Sequence, residues 1–167
     1  KVPTSKTYKR MYPNWGYSGK TIISNSIGQG EVLMTPIQLA NMMATVANRG
    51  YYYTPHIIKK IKGEKIDPKF TTKHVTKIDK KHFDPMISGL FDVYNLGTAR
   101  ALQVEGIEIC GKTGTAENFA KINGKRTQLE DHSIFVAFAP KDNPKIAIAI
   151  LVENGGFGAT IAGPIAS

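Results

Sequence analysis

The sequence has one cysteine, Cys110, among its 167 residues. A lone thiol excludes an internal disulfide and a structural zinc site built from several cysteines. The four histidines lie at His56, His74, His82 and His132, without the close spacing of paired metal ligands. We therefore predict neither a bound metal nor a cofactor.

Long apolar runs are also missing. No segment approaches the roughly 20 apolar residues that cross a bilayer as a helix, and the lysine-bearing first residues lack the apolar core of a signal peptide. If the protein is exported, we expect its signal to lie outside this sequence, whose opening resembles a cut within a longer chain. The length suits one compact unit or a piece of one.

Acidic residues are outnumbered by basic ones, 13 to 22. None precedes Glu31, and nine lysines lie between Lys59 and Lys81. Such a surface attracts anions, whether nucleic acid, anionic lipid or acidic polymer. The simpler interpretation is a solvated lysine-rich exterior that aids solubility.

Helical spacing is clearest after Thr35. This residue is suited to cap a helix, and Gln38 completes a capping box. Apolar residues at helical spacing predict a helix over 36–49 that Gly50 ends. A second helix is predicted over 81–95. Its predicted buried residues are Met86, Ile87, Leu90, Phe91 and Tyr94.

Other segments give weaker signals. Residues 1–30 show no sustained period and are predicted to be irregular. Short β-prone runs cover Tyr51–Ile61 and His74–Ile78, which predicts edge strands or a hairpin. The last residues, GGFGATIAGPIAS, predict a glycine loop that opens a helix.

Three further strands are predicted in the last third of the chain. They cover about 106–116, 132–139 and 145–152. The turn sequence Asn123-Gly124 lies between the first two, and PKDNP lies between the second two. Because short turns join antiparallel strands, antiparallel pairing is predicted.

The segment GIEICGKTGTAE, which starts at Gly106, satisfies two unrelated motifs. It fits the phosphate-binding pattern GxxxxGK[ST] and also contains the KTG triplet of penicillin-recognising serine enzymes. A phosphate loop needs a bend followed by a helix. Here Ile107–Cys110 favour a strand, and Gly114 is unfavourable in a first helical turn. We therefore predict a strand here and disfavour the phosphate-binding loop of a nucleotide hydrolase.

Strand alternation would give this segment a carboxylate-binding face. It places the hydroxyls of Thr113 and Thr115 side by side, where they can converge on one carboxylate. Lys112 adds a cation, and Gly114 leaves room for a peptide backbone at the strand edge. The predicted ligand is a peptide that ends in a free carboxylate.

Five sequence blocks around this segment resemble the C-terminal half of the transpeptidase domain of class B penicillin-binding proteins, in particular the elongation type, penicillin-binding protein 2. They are SIGQGEVLMTPIQLANMMATVANRG from Ser26, LGTAR from Leu96, CGKTGTAE from Cys110, DHSIFVAFAP from Asp131, and KIAIAILVENGG from Lys145. They follow the family's order. We therefore predict that residues 1–167 are a C-terminal fragment of one transpeptidase domain.

The resemblance implies an α+β fold of the penicillin-binding transpeptidase and β-lactamase-like type, with helices flanking a five-stranded antiparallel sheet. It implies a serine-type D,D-transpeptidase that cross-links peptidoglycan stem peptides through an acyl-serine intermediate and is a target of β-lactams. It further implies an inner-membrane protein with a periplasmic catalytic domain, a role in cell shape, and membrane proteins of the elongation machinery as partners.

The resemblance also implies roles for the KTG segment. Lys112 would support the proton network, and Thr113, Gly114 and Thr115 would bind the substrate, with both hydroxyls on its carboxylate. The backbone N–H of Thr115 would form half of an oxyanion hole, so Lys112 and Thr115 are the predicted catalytic residues.

The family's first two motifs, SxxK and SxN, are missing from the sequence. None of the serines has lysine three residues later or asparagine two residues later. They are Ser5, Ser18, Ser24, Ser26, Ser88, Ser133 and Ser167. Because both motifs precede SIGQG in the family, their absence fits a truncated chain, and we expect the fragment to be inactive and to bind no penicillin covalently.

Three other groups of residues that could suggest a site have simpler structural interpretations. Asp131-His132-Ser133 contains the three residue types of a catalytic triad. Neighbouring residues on a strand point to opposite faces, so they cannot form one. Asp131 and His132 are instead expected to fix the start of a strand. Cys110 is predicted to be a small packing residue. Asn154-Gly155-Gly156 is expected to form a loop near the cleft.

An alternative function, a basic nucleic-acid-binding module, is suggested by the N-terminal residues. Aromatic and basic side chains alternate there in a manner that suits stacking on single-stranded nucleic acid. They are Tyr8, Lys9, Arg10, Tyr12, Trp15 and Tyr17. We favour rings that pack against other parts of the domain, and expect no nucleic-acid partner.

Overall fold

The computed structural model describes residues 2–14 and 16–166. The chain forms two compact units, Lys1–Thr35 and Pro36–Ser167. The first unit contains helices α1 (Ser5–Met11) and α2 (Gly19–Ser26). The prediction that residues 1–30 are irregular is therefore wrong.

Short helices with threonine-based caps explain this error. The hydroxyl of Thr4 accepts a hydrogen bond from the N–H of Thr7, and the hydroxyl of Thr7 accepts one from the N–H of Thr4. Threonine replaces the glutamate or glutamine that is usual at the third helical position of a capping box. Helices of two turns are also too short to show a period of 3.6 residues.

The second unit combines four helices with seven strands among its described residues. The helices are α3 (Pro36–Ala47), α4 (Pro68–Thr71), α5 (Phe83–Asn95) and α6 (Ala162–Ala166). The strands are β1 (Tyr51–Tyr52), β2 (His74–Val75), β3 (Cys110–Ala116), β4 (Phe119–Ile122), β5 (Lys125–Gln128), β6 (His132–Ala139) and β7 (Ile146–Val152). Two 3-10 turns cover Lys80–His82 and Arg100–Leu102.

The main sheet has the order β3-β6-β7, and both pairs are antiparallel. This confirms the three predicted strands, although the first begins at Cys110 and not at 106. Gly106 has a φ of 78° and belongs to a turn. Of the five strands that the resemblance implies, the described residues supply three to the main sheet.

Strands β4 and β5 form a separate hairpin, with Ile122 opposite Lys125. Asn123 and Gly124 have φ values of 50° and 80°, which suit a tight hairpin turn. The prediction that this turn directly joins the first two strands of the main sheet is therefore wrong. Strand β5 reads Lys-Arg-Thr-Gln and is exposed throughout, so it lacks the apolar alternation by which a strand is detected.

The two long helices lie where periodicity predicts them. Helix α3 ends two residues early, at Ala47, and α5 begins at Phe83 after a 3-10 turn. Phe83 is buried, whereas Met86 is 51% exposed, so the predicted burial of Met86 is wrong. The β-prone runs before α5 shrink to the two-residue pair β1 and β2.

Helices pack against both faces of the main sheet, as the resemblance implies. One core cluster joins α3 and α5 to the sheet; its buried members are Met43, Val46, Ala47, Phe83, Ile87, Cys110, Val136 and Phe138. The other lies on the opposite face with α6; its buried members are Tyr94, Ala99, Leu102, Ile109, Phe135, Ala137 and Ala162. Cys110 at the start of β3 belongs to the first cluster, and Ile109 directly before β3 belongs to the second, so both cores hold the start of the strand.

Cys110 is a packing residue, as predicted. Its side chain is fully buried, and Sγ lies 3.7 Å from the carbonyl oxygen of Ile87. Burial raises the pKa of the thiol to about 11, because a thiolate would lose its hydration there.

We predict that Cys110 reacts slowly with thiol reagents in the folded chain. With its pKa near 11, roughly one thiol in a thousand is ionised at pH 8, and only the thiolate reacts. Labelling with 5,5′-dithiobis(2-nitrobenzoate) at pH 8 should therefore be at least about 10-fold slower in buffer than in guanidinium chloride. Equal rates would show that the thiol is accessible.

Candidate active site on strand β3

The GKTGT segment lies in an extended strand. Residues Gly111–Thr115 fall within β3 and do not begin a helix. A phosphate loop requires its Lys-Thr pair at a helix N-terminus. The nucleotide interpretation is therefore excluded, and the strand interpretation is confirmed.

The two threonines share one face of the sheet, as alternation predicts. Thr113 lies opposite Phe135, and Thr115 lies opposite Ser133. Both threonines are partly exposed. This arrangement can present two donors to one carboxylate.

A third hydroxyl joins them from outside the strand. The Oγ1 atoms of Thr98 and Thr113 are 2.9 Å apart, within hydrogen-bond distance. Thr98 is exposed and lies between α5 and the following 3-10 turn. Sequence reasoning gave Thr98 no role, although its LGTAR block was one of the five blocks of the resemblance.

Lys112 lies on the other face of β3, opposite Val136. Its Nζ donates a hydrogen bond of 2.8 Å to the carbonyl oxygen of Thr113. The side chain lines an open, largely apolar cleft of about 650 Å³ between α3, α5 and β1. The cation is therefore adjacent to the threonine strand, but it points away from the threonine face.

Strand β3 is an outer strand of the main sheet. Within the described residues, β6 pairs with one side of β3 and no strand pairs with the other. An unpaired strand edge can accept an extended peptide as an additional strand. The predicted approach of a peptide backbone is thus compatible with the sheet order.

Ser133 attaches the C-terminal segment to this strand. Its Oγ donates a hydrogen bond of 3.0 Å to the carbonyl oxygen of Phe157 and accepts one of 3.0 Å from the N–H of Ala162. Gly158 packs directly on the sheet backbone, and an added Cβ would overlap the carbonyl oxygens of Gly114 and Ile134. The segment therefore lies against the KTG triplet.

The glycine loop after β7 lies near Thr115, in agreement with the sequence interpretation. Gly156 and Phe157 line a cavity of about 160 Å³ together with Thr115, Glu130 and Asp131. The N–H of Gly156 donates a 2.8 Å hydrogen bond to the carbonyl oxygen of Asp131.

The Asp131-His132-Ser133 sequence does not form a catalytic triad. Ser133 is fully buried and its hydroxyl binds the C-terminal segment. Nδ1 of His132 accepts a 3.1 Å hydrogen bond from the N–H of Asn154. These residues connect the start of β6 to the glycine loop.

The N-terminal aromatic residues are mostly engaged within their own unit. Tyr8 is buried and its hydroxyl accepts a 2.7 Å hydrogen bond from Asn25, while the hydroxyl of Tyr12 donates a 2.6 Å hydrogen bond to Glu31. Tyr17 is exposed, and Trp15 lies outside the described residues. A buried Tyr8 is unavailable to stack on a nucleic acid.

In residues 2–14 and 16–166, no group of three or more His, Cys, Asp or Glu side chains is placed to hold a metal ion. No helix of that same part of the chain has the length and apolar character needed to cross a membrane.

We predict that Gly158→Ala destabilises the chain by about 1–3 kcal/mol, because the new Cβ meets backbone atoms that cannot rotate away. Urea unfolding followed by circular dichroism would measure the loss. Gly89→Ala is the matched control: Gly89 lies in α5 with open space around it, so alanine should be neutral or stabilise by up to about 1 kcal/mol. Equal stability of the two variants would refute the close packing of Gly158.

Residues 5–167 match the family model described as the penicillin binding protein transpeptidase domain. Peptidoglycan D,D-transpeptidase MrdA of Acinetobacter baumannii is 37% identical over 175 residues, covering 91% of this chain and 25% of that protein. MrdA of Haemophilus influenzae is 33% identical, covering 99% of this chain and 27% of that protein. The chain thus spans about a quarter of the length of these relatives.

The fold is similar to that of solved penicillin-binding proteins. Pseudomonas aeruginosa PBP2, in complex with WCK 5153, matches with a TM-score of 0.74 and 34% identity over 98% of this chain and 34% of that one. The imipenem acyl-enzyme of penicillin-binding protein A from M. tuberculosis matches with a TM-score of 0.69 and 29% identity over 86% of this chain and 31% of that one. These likenesses confirm the predicted α+β fold.

Proposed function

The chain belongs to the penicillin-binding protein transpeptidase domain family, and we propose that the whole protein is a serine-type peptidoglycan D,D-transpeptidase. Relatives named MrdA and PbpA are peptidoglycan D,D-transpeptidases, and penicillin-binding protein A of M. tuberculosis forms an acyl-enzyme with penicillin G. The observation that carries the proposal is the pair Thr113 and Thr115, whose side chains share one face of an outer strand.

In this proposal the threonine face binds the terminal carboxylate of a stem peptide or the carboxylate of a β-lactam. A threonine hydroxyl has one proton and two acceptor positions. If Thr113 donates its proton to the carboxylate, Thr98 must donate to Thr113 across their 2.9 Å contact. Thr98 is therefore a positioning residue that orients the Thr113 proton toward the substrate.

Lys112 is proposed to act electrostatically on the same ligand. Its ammonium is bonded to the Thr113 carbonyl oxygen, so a positive charge lies beside the strand to which an anionic peptide end would bind. In the catalytic step it would support proton transfer, while the backbone N–H of Thr115 would contribute to an oxyanion hole. Gly114 would keep the strand edge open to the peptide backbone.

The nucleophile is proposed to come from a part of the transpeptidase domain that precedes these residues in the whole protein, since the sequence has neither SxxK nor SxN. That part would face the cleft lined by Lys112. The serine oxygen would attack the carbonyl carbon of the penultimate D-alanine and release the last D-alanine. An amine of a second stem peptide would then displace the serine, forming the cross-link.

We further propose a periplasmic location for the catalytic domain, anchored at the inner membrane and acting in cell shape with membrane proteins of the elongation machinery. The relatives support this because MrdA proteins are peptidoglycan transpeptidases, and peptidoglycan lies outside the inner membrane. The coding sequence upstream of Lys1 tests it. We expect a membrane-spanning segment there, then SxxK and SxN in that order.

In the full-length protein, we predict that Thr115→Val slows acylation by penicillin about 10- to 100-fold. A hydrogen bond to a charged acceptor is lost, which corresponds to about 1.5–3 kcal/mol. Stopped-flow or gel measurement of fluorescent-penicillin labelling gives the second-order rate constant. Thr71→Val, on exposed α4, is the control and should react like wild type. An unchanged rate for Thr115→Val would remove Thr115 from the binding site.

Thr98→Val should produce a smaller loss, about 2- to 10-fold in the same rate constant, since only a neutral hydrogen bond disappears. Thr98→Ser keeps the hydroxyl and should restore the rate. The melting temperature should be unaffected because Thr98 is exposed. If valine and serine react alike, Thr98 does not orient Thr113.

A further inference from the structure

A second surface of the chain combines positive charge with exposed apolar side chains. We call residues 57–81 the lysine-isoleucine segment. From Lys59 to Lys81 it has nine lysines against three acidic residues, an excess of six within a chain whose net charge is +9. Most of the net charge is therefore concentrated in one surface segment.

Most of the acidic residues in this segment are already paired. Asp67 binds Lys69 at 3.0 Å, and Asp79 binds Lys81 at 3.4 Å. The backbone N–H of Lys69 is the main group that lowers the pKa of Asp67, so this carboxylate is ionised at neutral pH. Glu64 is the one further acidic residue, against seven other lysines. The positive charge is thus largely uncompensated.

Isoleucines lie between these lysines and face solvent. Ile57 is 99% exposed, and Ile58 and Ile61 are exposed as well. Ile58 and Ile61 also line a shallow concavity of about 190 Å³ with Phe70 and Lys60. Exposed apolar side chains also occur elsewhere in the chain, but here they lie next to uncompensated lysines, a combination that suits a partner with both negative charge and apolar groups.

We propose that the lysine-isoleucine segment docks peripherally on an anionic lipid surface. The lysines would bind headgroup phosphates while Ile57, Ile58 and Ile61 enter the boundary of the acyl region. Nucleic acids and acidic polymers would neutralise the lysines but leave Ile57 in water. An anionic lipid surface can both neutralise the lysines and bury the isoleucine side chains. The described residues of the segment form only short elements, so the segment lies on the membrane and does not cross it.

This contact is separate from catalysis and does not depend on the proposed transpeptidase activity. The segment contains no residue of the KTG strand. Its function would be to hold this part of the protein against the membrane. A substitution in the segment should therefore change lipid binding and leave penicillin acylation of the full-length protein unchanged.

Vesicle sedimentation tests the proposal with the chain itself. Wild type should bind vesicles of 30% phosphatidylglycerol in phosphatidylcholine, and should not bind pure phosphatidylcholine. Lys59→Gln/Lys60→Gln should weaken the partition coefficient about 20-fold. The matched control is Lys121→Gln/Lys125→Gln on the exposed β4–β5 hairpin, which removes the same charge and should bind like wild type.

Substitution of the isoleucines distinguishes lipid docking from general anion binding. Ile57→Ser/Ile58→Ser should weaken vesicle binding at least about 10-fold and leave binding to a soluble oligonucleotide unchanged. Both side chains are exposed, so the melting temperature should match that of wild type. The proposal is overturned if the serine variant binds vesicles like wild type, if both lysine pairs weaken binding equally, or if wild type does not bind the anionic vesicles.

Discussion

The antiparallel pairing of β3 with β6 is the constraint on which the site depends. It sets Thr113 opposite Phe135 and Thr115 opposite Ser133, and so assigns every side chain of the KTG strand to a face. A slip of one residue would turn both hydroxyls to the opposite face and remove Cys110 from the core cluster in which it is buried. Two core clusters, one on each face, oppose that slip because each buries large apolar side chains that fit only one register.

The C-terminal segment makes the same strand rigid from a third direction. The buried hydroxyl of Ser133 serves both as a donor to Phe157 and as an acceptor from Ala162. Gly158 then packs on the backbone of Gly114. A binding strand needs little freedom, since a misplaced hydroxyl cannot meet a carboxylate at hydrogen-bond distance. The glycine loop beside Thr115 thus contributes to the site by supporting it.

The two proposed functional surfaces differ in character. The KTG strand offers a few oriented polar groups at a sheet edge, which suits recognition of one peptide end. The lysine-isoleucine segment offers many unpaired charges and exposed isoleucines without fixed geometry, which suits a fluid surface. The family match covers both surfaces, but only the KTG strand is among the sequence blocks that carry the resemblance.

Local periodicity in the sequence was enough to predict α3, α5, the three main strands and the alternation of Thr113 and Thr115. It could not reveal α1 and α2, whose two-turn length hides their period, or the β4–β5 hairpin, whose β5 strand has no apolar face. Only the tertiary structure brought Thr98 to Thr113 and Ser133 to Phe157. Those contacts join residues 15 and 24 positions apart, and a hydroxyl carries no sequence signal for the distant partner that it will meet.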